Sequence, residues 1–545
     1  MPGNESGTYL AENSQDNNSR LTQSGKIIYV GAIDIGTNST HLLIAAVDTF
    51  LQTFSIEFAE KSTTRLGEKD PLSGKLTDIA ISRTLETLKR FKDLAESYNV
   101  ENLLTAATSA VREAPNGDHF VDLAKDKIDL DIEIISGTEE ARLIYLGVIS
   151  GMQFENRPHL LIDIGGGSTE LILADANDSK ALTSTKIGAV RLKRDFVNKE
   201  PLSLKDHEFL KTYIQGSFEP AVDKISRRIK SGKPPLMVAT SGTAMAIGSL
   251  LISQFKTHKT KLQGYKVSKL GLDQLAENIL KMDSDQLRKL TPLSERRAEI
   301  IVPGILILQT IMKMMEVEEV ILSERALREG LVVDWMFRNG FLQDRFSLQG
   351  SIRQRTVLHQ AKRFGVNLIR SEKVAKYALT LYDNTKGVLH SDDGKGRELL
   401  WAASILHCCG QHINLASYHK HSWYLIRHGE LLGYSQLEHF MVAGIARYHR
   451  KSFPKKRHEA WQCIDSRIQR KVVSEMSMLL RLSASLDRRP EPVLSSIEVE
   501  AKNNEVIIKL IPVDAEKNLG LEKWSIKNIL EYCGENIKPS FRILS

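Results

Sequence analysis

Alternating apolar and polar residues predict short strands in the first half of the chain, and two of the strand pairs share one layout. Residues 28–34 form a β-rich run that reaches a glycine turn, and residues 41–47 resume as a second strand. Residues 160–164 run into a triple-glycine turn, after which residues 170–174 form the return strand. Two strands joined by a short glycine-containing loop predict a hairpin. Two such hairpins, about 130 residues apart, indicate an internal duplication.

The remaining elements of this half also follow from the pattern of apolar positions. Residues 79–98 are amphipathic at helical spacing, which predicts a helix. Residues 103–107 and 132–135 resemble further strands, and a third glycine turn at residues 240–243 follows the strand at 236–239. Alternation of strands and helices is typical of an α/β fold.

The strand pattern disappears after about residue 340. Residues 351–488 are almost wholly helical in pattern, and short alternating runs followed by a helix return near the C-terminus. A chain of 545 residues is also too long for one hydrophobic core. We therefore predict five segments: a disordered tail (1–26), a first α/β lobe (27–148), a second α/β lobe (149–340), an all-α domain (341–494) and a small α+β domain (495–545).

Composition narrows the class of protein. The chain is 42% hydrophobic and 26% charged, as in ordinary globular proteins. Its longest strongly apolar stretch, residues 300–312, is too short to cross a bilayer, and the polar start has no secretory apolar core. Four cysteines with no C-x-x-C pair argue against a disulfide framework. We expect a soluble cytoplasmic protein without a transmembrane segment.

The net charge of the chain does not identify its function. The value of +7, with a pI near 8.9, fits either an ordinary solvated surface or a polyanionic partner. We expect no nucleic acid partner.

The glycine turns carry the candidate chemistry. Glycine lets successive backbone N–H groups approach a phosphate closely, and such groups form an anion-binding concavity. A plain hairpin turn explains either of the first two loops alone, but three such loops favour one shared phosphate-binding cleft. The candidate phosphate ligands in these turns are Gly36, Thr37, Asn38, Ser39, Gly165, Gly166, Gly167, Ser168, Thr169, Ser241, Gly242 and Thr243.

Six motifs extend over about 300 residues of the chain. They are A-I-D-I-G-T-N-S (32–39), T-S-A-V-R-E-A (108–114), I-I-S-G-T-E-E-A-R-L-I-Y-L-G-V (134–148), I-D-I-G-G-G-S-T-E-L (162–171), T-S-G-T (240–243) and A-L-R-E-G (326–330). In these motifs and their order, the chain resembles the exopolyphosphatase and guanosine pentaphosphate phosphohydrolase family. The resemblance implies two actin-like (ribonuclease-H-like) lobes around a cleft, then an all-α HD-like domain and a small α+β appendage.

The charged candidates come from these motifs. Ser136 and Glu139 have the spacing of a capping box, which leaves Glu140 without a capping role. The resemblance implies that Glu140 activates the attacking water, against the alternative of a surface glutamate at a helix N-terminus. It also implies that Arg112 is a phosphate ligand, whereas a solvated arginine is the alternative.

Carboxylates beside a phosphate site need a divalent cation between them and the phosphate. We assign Asp163 and Glu170 to Mg²⁺, with Asp34 as a weaker third ligand. An ordinary buried or hairpin-closing acid is the alternative for each of these residues.

The predicted activity is Mg²⁺-dependent release of terminal orthophosphate from inorganic polyphosphate. The alternative in the same family is removal of the 5′-terminal phosphate of guanosine pentaphosphate, and no residue separates the two. An actin-like ATPase or kinase and a non-catalytic polyphosphate or alarmone sensor are further alternatives. The resemblance implies a homodimer, and a monovalent cation such as K⁺ stays open.

The helical domain has two candidate features. In HD-type phosphohydrolases a His-Asp pair binds metal, but here His407 is followed by Cys408, which puts a second metal site in doubt. The basic segments 447–451 and 455–458 are either a solvated face or a guide for a long polyanion.

Overall fold

The computed structural model divides the chain into two compact units. One comprises residues 26–352 and the other includes residues 353–545. Of the predicted tail at 1–26, only Lys26 falls within the described part of the chain. The structure describes residues 26–154, 157–229, 235–254, 261–342, 352–392, 394–464, 466–491, 493–502, 504–534 and 539–544.

The first unit begins with a five-stranded sheet in the order β3-β2-β1-β4-β5. Strands β1 and β2 pair antiparallel, which confirms the first predicted hairpin, and β4 and β5 add to β1 in parallel. The strands are β1 (Ile27–Ile35), β2 (Thr40–Asp48), β3 (Thr53–Ser62), β4 (Asn102–Ala107) and β5 (Glu133–Ile134).

A second sheet, of six strands, repeats this arrangement in the order β10-β11-β9-β6-β7-β8. Its antiparallel strands β6, β7 and β8 match β1, β2 and β3, and its parallel strands β9 and β11 match β4 and β5. The internal duplication is confirmed. The strands are β6 (His159–Ile164), β7 (Thr169–Ala174), β8 (Ser179–Thr185), β9 (Leu236–Thr240), β10 (Lys266–Ser268) and β11 (Glu319–Leu322).

Helices cover both sheets. The third predicted glycine turn is instead the point where β9 ends at Thr240 and a helix begins at Ser241, with no loop between them. The helices are α1 (Asp78–Ser97), α2 (Ser109–Arg112), α3 (Gly117–Ile128), α4 (Gly137–Gly151), α5 (Ala189–Phe196), α6 (Leu204–Ser226), α7 (Ser241–Gln254), α8 (Lys269–Ile279), α9 (Ser284–Arg288), α10 (Glu295–Ala298), α11 (Ile301–Met314) and α12 (Leu327–Arg338).

Helices α4 and α12 join the two sheets in one central core. A Cβ at Gly147 would overlap the carbonyl oxygen of Ala326, and a Cβ at Gly330 would overlap that of Leu143. Only glycine allows the two backbones to come this close. The predicted boundary between residues 148 and 149 falls inside α4, which also carries Glu140 in its first turn.

Strand β1 is buried on both faces because its side chains alternate. Val30 and Ala32 belong to the central core with α4 and α12, whereas Ile33 and Ile35 pack on the side of α1. The end of β1 is thereby fixed from both sides.

The second unit is helical, with a three-stranded sheet at its end, and both parts share one hydrophobic core. Among the described residues, no helix has the length and apolar character needed to cross a membrane. The elements of the second unit are α13 (Ile352–Arg363), α14 (Leu368–Asn384), α15 (Lys395–Leu406), a 3₁₀ turn (Cys409–His412), α16 (Tyr418–His428), α17 (Gln436–Tyr448), α18 (Glu459–Gln462), α19 (Arg467–Ser485), β12 (Leu494–Lys502), β13 (Glu505–Pro512), α20 (Gly520–Cys533) and β14 (Ser540–Leu544).

Candidate active site

The turns after β1 and β6 have the same backbone geometry. Gly36 N donates to Ser39 O at 3.1 Å, and Gly165 N donates to Ser168 O at 3.0 Å. The turns also lie against each other, since a Cβ at Gly166 would stand 3.1 Å from Cβ of Thr37. Small residues therefore bring two duplicated loops together.

One cavity of about 530 Å³ opens where these turns meet the start of α7. The helix N-terminus adds backbone N–H groups that favour an anion. Ser241 has a φ of 81°, a left-handed conformation that is uncommon for a residue with a side chain. The sequence-predicted residues that line the cavity are Asp34, Gly36, Thr37, Asn38, Ser39, Glu140, Asp163, Gly165, Gly166, Ser168, Ser241, Gly242 and Thr243.

Four predicted residues do not line this cavity. Gly167 lines a neighbouring one. The hydroxyl of Thr169 is buried and donates to Ile187 O at 2.6 Å, so it makes a structural hydrogen bond. The carboxylate of Glu170 is also buried and accepts from Ser184 Oγ at 2.7 Å.

The fourth, Arg112, contacts the predicted base. Its Nη1 donates to Glu140 Oε2 at 3.0 Å and to Ile135 O at 2.7 Å. These bonds fix both the guanidinium and the carboxylate. The structure therefore places Arg112 against Glu140 and outside the lining of the cavity, a contact that the sequence motif alone did not indicate.

Helix α4 presents Glu140 through its N-terminal turn. Ser136 Oγ accepts from Glu139 N at 3.1 Å, as the capping box requires. The Glu139 carboxylate, however, accepts from Arg142 at 2.6 and 2.8 Å instead of returning to the cap. Glu140 is only 8% exposed, and that exposed part lies in the cavity.

Burial raises the pKa of every carboxyl in this group. It raises the pKa of Asp34 and of Asp163 to about 7, and the neighbouring acids Glu140 and Asp34 respectively add to the shift. Burial also raises the pKa of Glu140 to about 7, against the opposing effect of Arg112. The pKa of Glu170 is raised well above its ordinary value by burial and by Glu140. Ionising all four acids together would therefore be energetically unfavourable without a cation beside them.

The donor set fits Mg²⁺ held together with substrate oxygens. Within the described ranges, no three His, Cys, Asp or Glu side chains are grouped closely enough to hold a metal by themselves. Mg²⁺ commonly binds through one or two carboxylates plus phosphate oxygens and water. Asp163 lines the cavity and pairs across β6 and β7 with the buried Glu170, so these two acids would supply such oxygens.

Basic side chains line the same cavity, and sequence reasoning assigned no role to them. The guanidinium of Arg297 packs on Gly242 and makes no ion pair within the described residues. Desolvation, with Arg297 and Arg328, lowers the pKa of Lys61 to about 8. Burial and these cations also hold the pKa of His41 well below its usual range, so that it is neutral. Arg328 lies within the A-L-R-E-G motif, whereas nothing local in the sequence distinguishes Arg297 from Arg296.

In the second unit, His407 and a nearby acid, Asp487, already have hydrogen-bond partners within the protein. His407 Nδ1 donates to Ser404 O at 2.6 Å, and Asp487 Oδ2 accepts from Arg370 at 2.9 Å. A guanidinium thus neutralises Asp487 next to Cys408, whose thiol pKa burial raises. These contacts give the residues a structural role.

Comparisons with known proteins agree with this fold. A guanosine-5′-triphosphate,3′-diphosphate pyrophosphatase of Vibrio vulnificus is 29% identical over 479 residues, covering 87% of this chain and 90% of its own length. The enzyme of that name from Pseudoalteromonas translucida is 30% identical over 427 residues, covering 78% and 81%. A solved exopolyphosphatase from Cytophaga hutchinsonii matches at 27% identity with a TM-score of 0.53, covering 57% of this chain and 98% of that protein.

Two family models cover most of the chain. The Ppx/GppA phosphatase family matches residues 43–339, and domain III of the Ppx/GppA phosphatases matches residues 352–528. The predicted fold class and the predicted enzyme class, a hydrolase of phosphoric anhydride bonds, are confirmed. This chain therefore belongs to the Ppx/GppA phosphatase family.

Proposed function

We propose that this protein is a Mg²⁺-dependent exopolyphosphatase that releases terminal orthophosphate from inorganic polyphosphate. One observation carries the proposal. A nearly buried carboxylate, that of Glu140, opens into the same cavity as both glycine turns and the start of α7. A phosphate held by these N–H groups would lie beside a fixed base.

The turns would bind the chain end through backbone donors. Gly36 and Gly165 use their own N–H groups to close the turns, at 3.1 and 3.0 Å, so we assign phosphate binding to the N–H groups of the turn residues that follow them. The side chains of Ser241 and Thr243 both donate to Ile164 O, at 2.8 and 3.1 Å. We therefore assign binding at the start of α7 to its backbone.

The hydrolytic step follows from the position of Glu140. The carboxylate takes a proton from water as the water oxygen bonds to the terminal phosphorus. The bridging P–O bond breaks, and its electron pair stays with the shortened chain. Arg112 holds the carboxylate in place through its 3.0 Å hydrogen bond. Positioning and electrostatics account for such a reaction without a covalent enzyme intermediate.

Asp163 and Glu170 would hold Mg²⁺, with Asp34 nearby, and the ion would neutralise charge on the substrate phosphates. The raised pKa values of these buried acids support this assignment, because an adjacent cation would relieve their repulsion.

Guanosine pentaphosphate is the second candidate substrate. The names of the Vibrio and Pseudoalteromonas relatives favour it. The phosphate site serves both substrates equally, because each presents a terminal phosphoric anhydride. The basic side chains Lys61, Arg297 and Arg328 at the cavity wall would hold further phosphates of either one.

The test is orthophosphate release from long polyphosphate and from guanosine pentaphosphate, with and without Mg²⁺. We expect Glu140→Gln to abolish turnover of both substrates and to leave binding of the chain largely intact. Glu139→Gln is the matched control, because this neighbouring glutamate pairs with Arg142 outside the cavity and should retain turnover. Near-normal turnover by Glu140→Gln would remove Glu140 from its role. The ratio of kcat/KM values identifies the preferred substrate.

The basic segment of the second unit supports a preference for long chains. Its cations at residues 447, 450, 451 and 455–457 make no ion pair with any described residue. We assign this face to electrostatic attraction of a long polyanion.

A homodimer, a cytoplasmic location and a monovalent cation such as K⁺ belong to the same proposal through the family. Light scattering, fractionation and assays with different salts test them in turn.

A further inference from the structure

A second cavity, of about 600 Å³, lies directly behind the candidate active site. The two cavities share Thr37 and Ser109 as lining residues. Gly167 lines only the second one, which we call the rear cavity; the first is the front cavity. Nothing in the proposed hydrolytic step uses the rear cavity.

The wall between the cavities is one side chain thick. Thr37 Oγ1 and Ser109 Oγ form a hydrogen bond of 3.0 Å across it. A Cβ at Gly167 would stand 2.5 Å from Ser109 Oγ and 2.8 Å from Thr37 Oγ1. Two hydroxyls and a glycine therefore close the wall, and each hydroxyl can turn to bond a passing oxyanion instead.

In the proposed substrate pose, a chain with its terminal phosphate at Glu140 would extend toward Lys61, Arg297 and Arg328, which line the same cavity. The shortened chain would then stand between the released orthophosphate and that side of the cavity. Orthophosphate would leave past it only after the chain dissociates.

The rear cavity contains a cation suited to receive a phosphate. Among its described lining residues, Arg191 pairs with Glu113 at 2.7 Å and Arg194 pairs with Asp195 at 2.6 Å. Lys69 makes no ion pair with a described residue, and burial lowers its pKa against the opposing effect of the Glu113 carboxylate. An oxyanion beside Lys69 would give the ammonium a direct ion pair.

The wall is also held from the rear side. Arg191 Nε donates to Gly167 O at 2.9 Å, and its other end meets Glu113, which follows α2. This bridge ties the triple-glycine turn to the segment that carries Ser109. The position of the wall is therefore set by residues of the rear cavity.

We propose that the rear cavity is the release site for orthophosphate: the product passes between Thr37, Ser109 and Gly167 to Lys69 while the shortened chain keeps its place in the front cavity. The proposal rests on the proposed function for the origin of the phosphate. Binding of phosphate in the rear cavity does not depend on it.

The first experiment is calorimetric titration of the whole protein with inorganic phosphate. Lys69→Met keeps the side-chain length and removes the charge, and we expect it to weaken phosphate binding about tenfold or more. Lys89→Met, on the exposed face of α1, is the matched control and should bind as the wild type does. Thermal unfolding of both variants verifies that they are folded. Equal phosphate affinity in all three proteins would overturn the proposal.

The second experiment is the pattern of inhibition by added orthophosphate. A rear site predicts a noncompetitive component against long polyphosphate, because chain and phosphate bind together. Lys69→Met should lose that component and keep any competitive one. Purely competitive inhibition of the wild type would overturn the proposal. A protein that releases no phosphate from either substrate would instead refute the proposed function, and the titration would still decide whether the rear site exists.

Discussion

Replacing Arg112 by methionine distinguishes two roles for this residue. As a phosphate ligand, Arg112 should affect KM by a similar factor at every pH. As the partner of Glu140, it should set the pH at which the base becomes active. Burial raises the pKa of Glu140 to about 7 even with Arg112 bonded at 3.0 Å. Activity of the wild type should therefore rise with pH through about 7, since the base must lose its proton.

The size of the shift follows from the charge that is removed. Two unit charges ~4 Å apart attract by about 4 kcal/mol at an effective dielectric constant of ~20. At about 1.4 kcal/mol per unit, this corresponds to an upward shift of as much as ~3 units in the pKa of Glu140. The acidic limb of kcat/KM should move to higher pH in Arg112→Met, and kcat/KM at pH 7 should fall by up to ~500-fold.

The assay is the initial rate of orthophosphate release across the pH range in which the protein stays folded. Arg112→Lys keeps a positive charge and should leave the limb nearer its original position. An unmoved limb in Arg112→Met, with KM raised at all pH values, would refute the positioning role. It would restore the phosphate-ligand role that the sequence motif implied.

Three further predictions concern stability and long substrates. The carboxyls of Asp34 and Asp163 keep protons in the folded state up to about pH 7, whereas unfolded aspartates lose them near pH 4. Their contribution to stability is thus fully present below about pH 4 and is lost as the pH rises from there to about 7. In EDTA, the Tm should therefore fall between these two pH values. Added Mg²⁺ should raise the Tm more at alkaline than at acidic pH, and an equal rise at both would contradict the metal assignment. Gly147→Ala should cost about 2 kcal/mol or more in chemical denaturation by forcing α4 from α12, while Gly216→Ala, with open space at its Cβ, should not destabilise. Replacing the cations at residues 455–457 by glutamine should weaken the salt-sensitive binding of long polyphosphate and leave guanosine pentaphosphate unaffected, and equal losses would count against a guiding role.

The hairpins and the duplication were predictable because their determinants are local. The alternation in β1 and β2 and the glycine between them specify a hairpin in any context, and the same holds for β6 and β7. The Ser136 cap is equally local. Residues 240–243 were wrongly assigned to a turn because a strand passes into α7 there without an intervening loop, and small polar residues fit either structure.

Contacts between distant segments could not be predicted in the same way. The bond from Arg112 to Glu140 spans 28 residues, and that from Arg370 to Asp487 spans 117. Arg297 lines the cavity only because α10 packs beside the start of α7. No periodicity marks such a residue in the sequence. The motif identified Arg112 as important but did not reveal what it contacts.

The contacts of the buried acids separate their roles more clearly than the motifs do. Glu140 alone among them has a guanidinium partner, so its charged form is stabilised without a metal. Glu170 is bonded to a neutral hydroxyl, and its charged form needs a cation from outside the protein. When titratable groups share a site, differences in environment assign the acid, the base and the ligand. On the proposed function, the carboxylate with its own arginine would accept a proton from water, and the others would hold a cation. A structure with substrate bound in which Arg112 left Glu140 for the phosphate would reverse this assignment.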